Sequence, residues 1–470
     1  MSKHTFVYMC AFLTVFCFMG TLVCTASTDI DRRIEELKRS TLKEDEERII
    51  ESEDKLRFDY GGWINFRYDD YDDSDNDAST LDTYDYSWSF DTRLWLKAIY
   101  RPSGEVFSDH QYSLYVRVKD LFTEERPENT AGGYDHDGPH LDYAYVTAEI
   151  SQFEMSVGRK YYSIGRGIAY SDVHDGVEGL FRFDDWYVMV LGTHTLPHED
   201  NIDLSVPGGN KESDRYFWGV EASYSGIPSH RIYSYFLMQR DFSDERPEDS
   251  LHNYTYDSEY IGVGCEGYLP LDIKYWAEII RESGSSYIYE PRSSQDVSAW
   301  AGDFGLSYEW EDVYAEPFFT FEYGFSTGDA SRVSVTDTQN GNLAGKDTNF
   351  MYFGYLPTGN VLSPRLSNLH FLKWGVSLTP FEYFHALRNC IIDIDFFQFF
   401  KYHSAGGMYD TDATAANNDI GREIDITLSW DIFSDLSLVL EYGHFMPGDA
   451  YPALTDDAED YFSVSTVFTF

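Results

Sequence analysis

Long apolar runs are almost absent from this chain. After Val7–Val23, no stretch approaches the ~18 uninterrupted apolar residues of a membrane-spanning helix. A helical membrane protein is therefore excluded. Cysteine is scarce, at five in 470 residues. Cys10 and Cys17 fall in the apolar N-terminal segment. Cys265 and Cys390 each sit inside an apolar strand pattern and read as small buried hydrophobes, not as a disulfide framework. Positive charge is also short: 35 Lys and Arg stand against 81 Asp and Glu, a formal net charge of −46. Such a chain is a poor partner for nucleic acid. No nucleophile elbow, phosphate loop or zincin motif is present. The sequence thus offers no catalytic residue, no cofactor and no metal site, and the expectation is a protein that is not an enzyme.

Aromatic residues are plentiful, with 38 Tyr, 34 Phe and 10 Trp. The N-terminus carries Lys3 and His4, then the apolar Val7–Val23, then small residues at Cys24-Thr25-Ala26. Residues 1–26 read as a secretory signal peptide. A lipoprotein cysteine at Cys24 is the weaker reading, because Val23 before it is not small. Residues 27–56 are charged and helix-prone, with Ile30, Ile34, Leu37 and Leu42 at helical spacing. They are too thinly apolar to form a core and read as a periplasmic helical or coiled segment. Residues 57–470 carry a different pattern.

That pattern is clearest at the C-terminus. Ile424, Ile426, Leu428 and Trp430 alternate with Glu423, Asp425, Thr427 and Ser429. Leu436, Leu438, Leu440 and Tyr442 alternate with Ser437, Val439, Glu441 and Gly443, and Phe462, Val464, Thr466, Phe468 and Phe470 with their neighbours. Period-two alternation puts one set on each face of a sheet. A terminal aromatic that closes an alternating strand points to an outer-membrane barrel, whose lipid face is apolar and flanked by aromatic girdles.

Several segments carry a family resemblance. Glu423-Ile-Asp-Ile-Thr-Leu, Leu436-Ser-Leu and Tyr442-Gly-His-Phe-Met-Pro-Gly-Asp449 resemble the closing segment of the alginate-export family of outer-membrane proteins. Val157-Gly-Arg-Lys160 with Gly165-Arg166, Asp175-Gly-Val177, Tyr323-Gly-Phe-Ser-Thr-Gly-Asp329, Ser367-Asn-Leu369 and Trp374-Gly-Val-Ser-Leu-Thr-Pro380 resemble further segments, in the same order. The resemblance implies an antiparallel transmembrane β-barrel of about 18 strands that moves polysaccharide across the outer membrane. Strand candidates can be laid out to match, from 57–68 to 460–470.

The connections alternate in length. Ser151-Gln152, Asp184-Asp185, Leu269-Pro270, Glu311-Asp312 and Ile432–Asp435 read as tight turns. Tyr68–Tyr84, Phe122–His140, Thr195–Ser213, Ser326–Arg365 and His403–Gly421 read as long polar loops. Short periplasmic turns and long extracellular loops produce this segregation, and both termini then fall in the periplasm of a Gram-negative-type bacterium.

Alternation also predicts the lumen. Leu94, Leu96 and Ala98 face lipid, so Arg93, Trp95 and Lys97 face inward with Asp91. Leu114, Val116 and Val118 face out, so Tyr115, Arg117 and Lys119 face inward. Arg182 faces inward between Phe181 and Phe183. Tyr143 and Tyr145 join Trp95 and Tyr115 as aromatics able to stack on sugar rings. Arg159 and Arg166 belong to the Gly-Arg element. Simple alternation sends Arg159 outward, so a bulge at Gly158 is expected to turn it in, and the Ser163–Asp175 loop is expected to fold into the pore. Glu423, Asp425 and Glu441, with Asp393 and Asp395, form an acidic wall facing this basic one. Arg suits a uronate because its planar fork pairs both carboxylate oxygens.

Asp73-Ser-Asp-Asn-Asp77 and Asp135-His136-Asp137 with His140 lack the full spacing of metal loops and read as solvated polar segments. The sequence therefore points to a passive outward channel for an anionic polysaccharide, alginate-like or another exopolysaccharide, with a general or solute-selective diffusion porin as the alternative. Its expected partners are the polymer, outer-membrane lipid and lipopolysaccharide, and periplasmic export or synthesis components.

Overall fold

A computed structural model describes residues 56–470 apart from 73–85, 103–108, 127–132, 204–211, 244–254, 289–292, 311–312, 338–341, 343–344 and 454. The expected signal peptide and the expected 27–56 helical segment, apart from Leu56 at the start of a strand, lie outside the described residues, as does the acidic run at Asp73–Asp77. Eighteen strands follow in order: β1 (Leu56–Asp72), β2 (Tyr86–Tyr100), β3 (His110–Arg126), β4 (Gly133–Ile150), β5 (Phe153–Ile164), β6 (Tyr170–Phe183), β7 (Trp186–His194), β8 (Arg215–Ile227) and β9 (His230–Asp241). The second half comprises β10 (Asp257–Leu269), β11 (Ile273–Ile288), β12 (Ser293–Glu309), β13 (Phe318–Ser326), β14 (Leu369–Leu378), β15 (Cys390–Lys401), β16 (Asp419–Phe433), β17 (Leu436–Pro447) and β18 (Glu459–Thr469).

Each strand pairs antiparallel with its sequence neighbours, and β1 pairs with β18, which closes the ring. The terminal residue completes the seam. Phe470 N donates to Gly62 O at 3.0 Å, and Gly62 N donates to Phe470 O at 2.9 Å. No free sheet edge is left at this seam, which a bilayer requires because it offers backbone groups no water.

The polarity of the wall is inverted relative to a soluble protein. Arg93, Arg117, Glu278, Glu282, Asp303 and Glu423 are buried, whereas Leu94, Val157, Ile261 and Val263 are about half exposed. The apolar rows therefore ring the outside and the charged rows look inward. Trp186 beside Tyr224 and Phe153 beside Phe181 belong to the aromatic girdle at the short-turn rim.

The strands run further toward the long-loop rim than alternation alone indicates. Most of the expected Phe122–His140 loop is strand, because β3 continues to Arg126 and β4 begins at Gly133. The added length is polar on both faces, so it carries no hydrophobic signal, and two irregularities in the β3–β4 register further blur the period. The turn expected at Glu311-Asp312 is also longer: β12 ends at Glu309 and β13 begins at Phe318.

Candidate functional site: the barrel lumen

Register brings most of the expected inward residues into one patch. Lys97 lies opposite Tyr115, and Tyr115 opposite Tyr145. One step along, Trp95 lies opposite Arg117, and Arg117 opposite Tyr143. The next row sets Arg93 between Trp63 and Lys119. Cations and rings therefore interleave on β1–β4. Trp95 stacks on Tyr115 with centroids 6.1 Å apart, and Tyr115 sits 5.3 Å from Tyr145.

The cations in this patch are of two kinds. Arg93 and Arg117 are buried and paired. Arg93 meets Asp91 at 2.6 Å and Asp142 at 3.5 Å, and Arg117 Nε donates to Asp142. Arg117 also lies 3.8 Å from the Tyr143 ring centroid and 5.0 Å from that of Trp63. Asp142 is the extra residue of a bulge in β4: Arg117 pairs with Tyr143 and Val118 with Leu141, so Asp142 has no place in the ladder. Neither Lys97 nor Lys119 has an ion-pair partner among the described residues, and both are half-buried. A buried, paired guanidinium has its charge matched locally, so Lys97, which lies opposite Asp59, and Lys119 are the cations of the patch without an ion pair among the described residues.

A second acidic group, Glu221 on β8, Glu278 on β11 and Asp303 on β12, lies across the lumen from this patch, and it is covered by chain folded inward. Between β5 and β6 the turn through Gly165 and Gly167, both at positive φ, dips into the bore. Gly165 N donates to Glu221 at 2.9 Å, Arg166 N to Glu278 at 2.8 Å, and Arg166 Nε to Asp303 at 2.8 Å. The Arg166 guanidinium also lies over the Trp276 ring at 5.0 Å.

The connection from β13 to β14 continues this internal layer. Tyr355 N donates to Gly167 O and Phe353 N to Ala169 O, both at 3.1 Å. Met351 N donates to Glu282 at 3.0 Å. Asn360, Val361 and Leu362 donate their backbone N–H groups to Glu423 at 2.7, 2.8 and 3.1 Å, and Asn360 N also reaches Asp425 at 3.2 Å. Gly359 sits at φ +111°, where a Cβ would come within 2.5 Å of Glu423 Oε1. Phe350, Tyr352 and Leu366 pack with Tyr162, Tyr170 and Leu369 in one apolar cluster inside the barrel.

Of the expected acidic wall, Glu423 and Asp425 are thus anchors for an internal strap, whereas Asp395 meets Lys373 at 2.9 Å. Glu441 differs again, meeting Arg67 at 3.1 Å. Alternation gave the direction of these side chains but not their covering. A signal was available: Asn349-Phe-Met-Tyr-Phe-Gly-Tyr355 is far too aromatic for a solvated loop.

Three expected residues stand apart from the patch. Arg166 lies in the bore but on the opposite wall. Arg182 has inward parity at the short-turn rim, where it meets Glu154 at 2.8 Å. Arg159 is a correction. No bulge forms at Gly158: β5 pairs with β4 and β6 without a register shift. Arg159 therefore shares the outer face with exposed Val157 and Tyr161. It is tolerated there because Asp175 opposite accepts from Nε at 2.9 Å and Nη2 at 3.0 Å, and Leu141 O accepts from Nη1 at 3.0 Å. Of the polar segments, His136 contacts Asp120 at 2.8 Å and His140 contacts Asp137 at 3.2 Å.

Comparison with known proteins agrees with this geometry. The family described as alginate export matches residues 107–465. Among solved structures, OccK8 (OprE) of Pseudomonas aeruginosa aligns with TM-score 0.56 at 11% identity, covering 88% of this chain and 98% of that one. OccK5 (OpdH) of the same organism gives 0.55 at 11%, with 88% and 98% covered. OccAB1 of Acinetobacter baumannii gives 0.54 at 13%, with 89% and 98% covered. These identities speak for the shared fold alone. No curated protein matches the chain.

Proposed function

The chain belongs to the alginate-export family and is an outer-membrane β-barrel channel, and from that premise we propose that it passes an anionic polysaccharide outward, passively. The observation that carries this reading is the unequal treatment of the two lumenal walls. Glu282, Glu423 and Asp425 are taken up by backbone N–H groups of the internal strap, and Glu278 by that of Arg166. Among the described residues Lys97 and Lys119 have no ion-pair partner, and Lys97 lies opposite Tyr115, which packs with Trp95 and Tyr145.

A polyanion sliding along β2–β4 meets weak positive charges and ring faces in alternation. Many weak contacts allow conduction, whereas one tight site would stop it. Aromatic faces suit the apolar faces of sugar rings, and ammonium groups suit uronate carboxylates. Glu278, Glu282, Glu423 and Asp425 are covered and hydrogen-bonded, so these four of the 81 acidic residues are screened from the path. On this reading both termini and the short turns face the periplasm, where export or synthesis components would hand over the polymer, and lipopolysaccharide surrounds the long-loop rim.

A second reading, a solute-diffusion porin, is favoured by the strap itself, which occupies bore that a polymer would need. Block of channel current in a planar bilayer separates the two. Oligouronates should block at concentrations where neutral oligosaccharides of the same length do not. Equal block by both would favour the porin.

A further inference from the structure

We infer that Asp172, His174 and Glu199 form a binding site for a divalent first-row transition ion, near the long-loop end of the lumen. Asp172 and His174 lie two apart on β6 and share its inward parity with Glu178 and Leu180. Glu199 comes from the connection between β7 and β8. One ligand atom from each residue lies within 4.8 Å of those of the other two.

The histidine is pre-set for this task. It is 2% exposed and stacks against Phe217 with centroids 5.6 Å apart. Its Nδ1 lies 2.8 Å from the Tyr170 hydroxyl, which in turn lies 2.6 Å from Thr193 Oγ1. With Nδ1–H donating to Tyr170 and Tyr170 donating to Thr193, the Nε2 lone pair is directed at the carboxylates. Metal-bound histidines are held in this way, one ring nitrogen on the metal and the other donating to a fixed partner.

The spacing fits an ion better than a direct ion pair. Nε2 lies 3.3 Å and 3.4 Å from the two Glu199 oxygens, longer than the roughly 2.7–2.9 Å of a charge-assisted N–H···O bond. Two ligand atoms at about 2.1 Å from a tetrahedral zinc stand about 3.4 Å apart. Glu199 is itself anchored, since Leu196 N donates to its Oε2 at 2.7 Å. Asp172 is exposed; its Oδ1 accepts from Val173 N at 2.7 Å, which leaves Oδ2 to serve as the third ligand. Arg365 faces Asp172 closely enough to interact electrostatically, which tempers the site and argues against very tight binding. An imidazole with two carboxylates selects Zn²⁺ and its neighbours over Mg²⁺ and Ca²⁺, which prefer all-oxygen shells.

Isothermal titration of the purified full-length barrel in detergent, with Zn²⁺ as the probe, tests this directly. The expected result is one Zn²⁺ per chain, not displaced by equimolar Mg²⁺. His174→Ala and Glu199→Gln should each lower the affinity about 10-fold or more, and Tyr170→Phe about 10-fold through loss of the hydroxyl that holds His174 Nδ1. Glu199 lies outside the strands, so Glu199→Gln leaves the barrel wall intact if His174→Ala fails to fold. No saturable binding, binding that Glu199→Gln leaves unchanged, or equal affinity for Mg²⁺ would each overturn the assignment. The readout is heat of binding, so it holds or fails independently of what the channel transports.

Discussion

Arg166 and Asp303 join the internal turn to the barrel wall: Arg166 Nε donates to Asp303 Oδ2 at 2.8 Å, with Asp303 fully buried. The contact ties the turn between β5 and β6 to β12, on the far side of the lumen. Removing one partner of a buried pair costs on the order of 3–5 kcal/mol, since the other charge is stranded. Arg166→Ala should therefore release the turn. Single-channel conductance should rise and its open-state noise increase; a conductance unchanged from the parent would mean that the turn does not narrow the conducting path.

Glu423→Ala should loosen the strap at its other end. It deletes the acceptor of the Val361 and Leu362 N–H groups and one of the two acceptors of Asn360 N, and an unsatisfied donor inside the protein costs about 1–3 kcal/mol. Faster amide exchange at 358–362, with exchange in β17 and β18 unaltered, is the expected result. Uniform acceleration throughout the barrel would instead make Glu423 a residue of global stability.

Acid should act on the strap through Asp329, which lies between β13 and β14, outside the strands. Burial works to raise its pKa, but N–H and hydroxyl donors from Ser331 and Thr348 outweigh burial and hold it below the ordinary 3.8. A depressed carboxylate contributes stability that is present above its unfolded pKa and is lost as pH falls through the lower folded value. Proteolysis of the strap should thus be constant from neutrality to about pH 5 and rise below about pH 4. In Asp329→Asn that acid step should vanish; an identical acid profile in the variant would assign the step to other groups.

The seam should depend on Gly62. A Cβ there would lie 2.5 Å from Arg93 O and 2.9 Å from the Phe470 ring. Gly62→Val should reduce the heat-modifiable, folded band on electrophoresis severalfold. Full recovery of that band would show that the seam tolerates the bulk.

The fold was legible because period-two alternation reports directly which residues meet lipid. On β2 and β3 the greasy row Leu94, Leu96, Leu114 and Val118 left no choice of face for Arg93, Lys97, Arg117 and Lys119. Legibility stopped where the two faces are alike, so β3 and β4 run on toward the long-loop rim unannounced. It failed at Arg159, because a cross-strand partner such as Asp175 can hold a charge on the outer face without any bulge, and one strand does not reveal its neighbour. It failed again at Glu423 and Asp425, whose direction is local but whose covering comes from residues about sixty positions away. The grouping of Asp172 and His174 with Glu199 escaped for the same reason.

The central claim is that Lys97 on β2 and Lys119 on β3 attract anions along the lumen. Reversal potential under a salt gradient, measured for the parent channel and for Lys97→Gln with Lys119→Gln, tests it most directly. The parent should prefer anions, and its reversal potential should move toward cation preference in the double variant, with oligouronate block weakened about 10-fold, or roughly 0.7 kcal/mol for each lysine removed. An unchanged reversal potential together with unchanged block would contradict it.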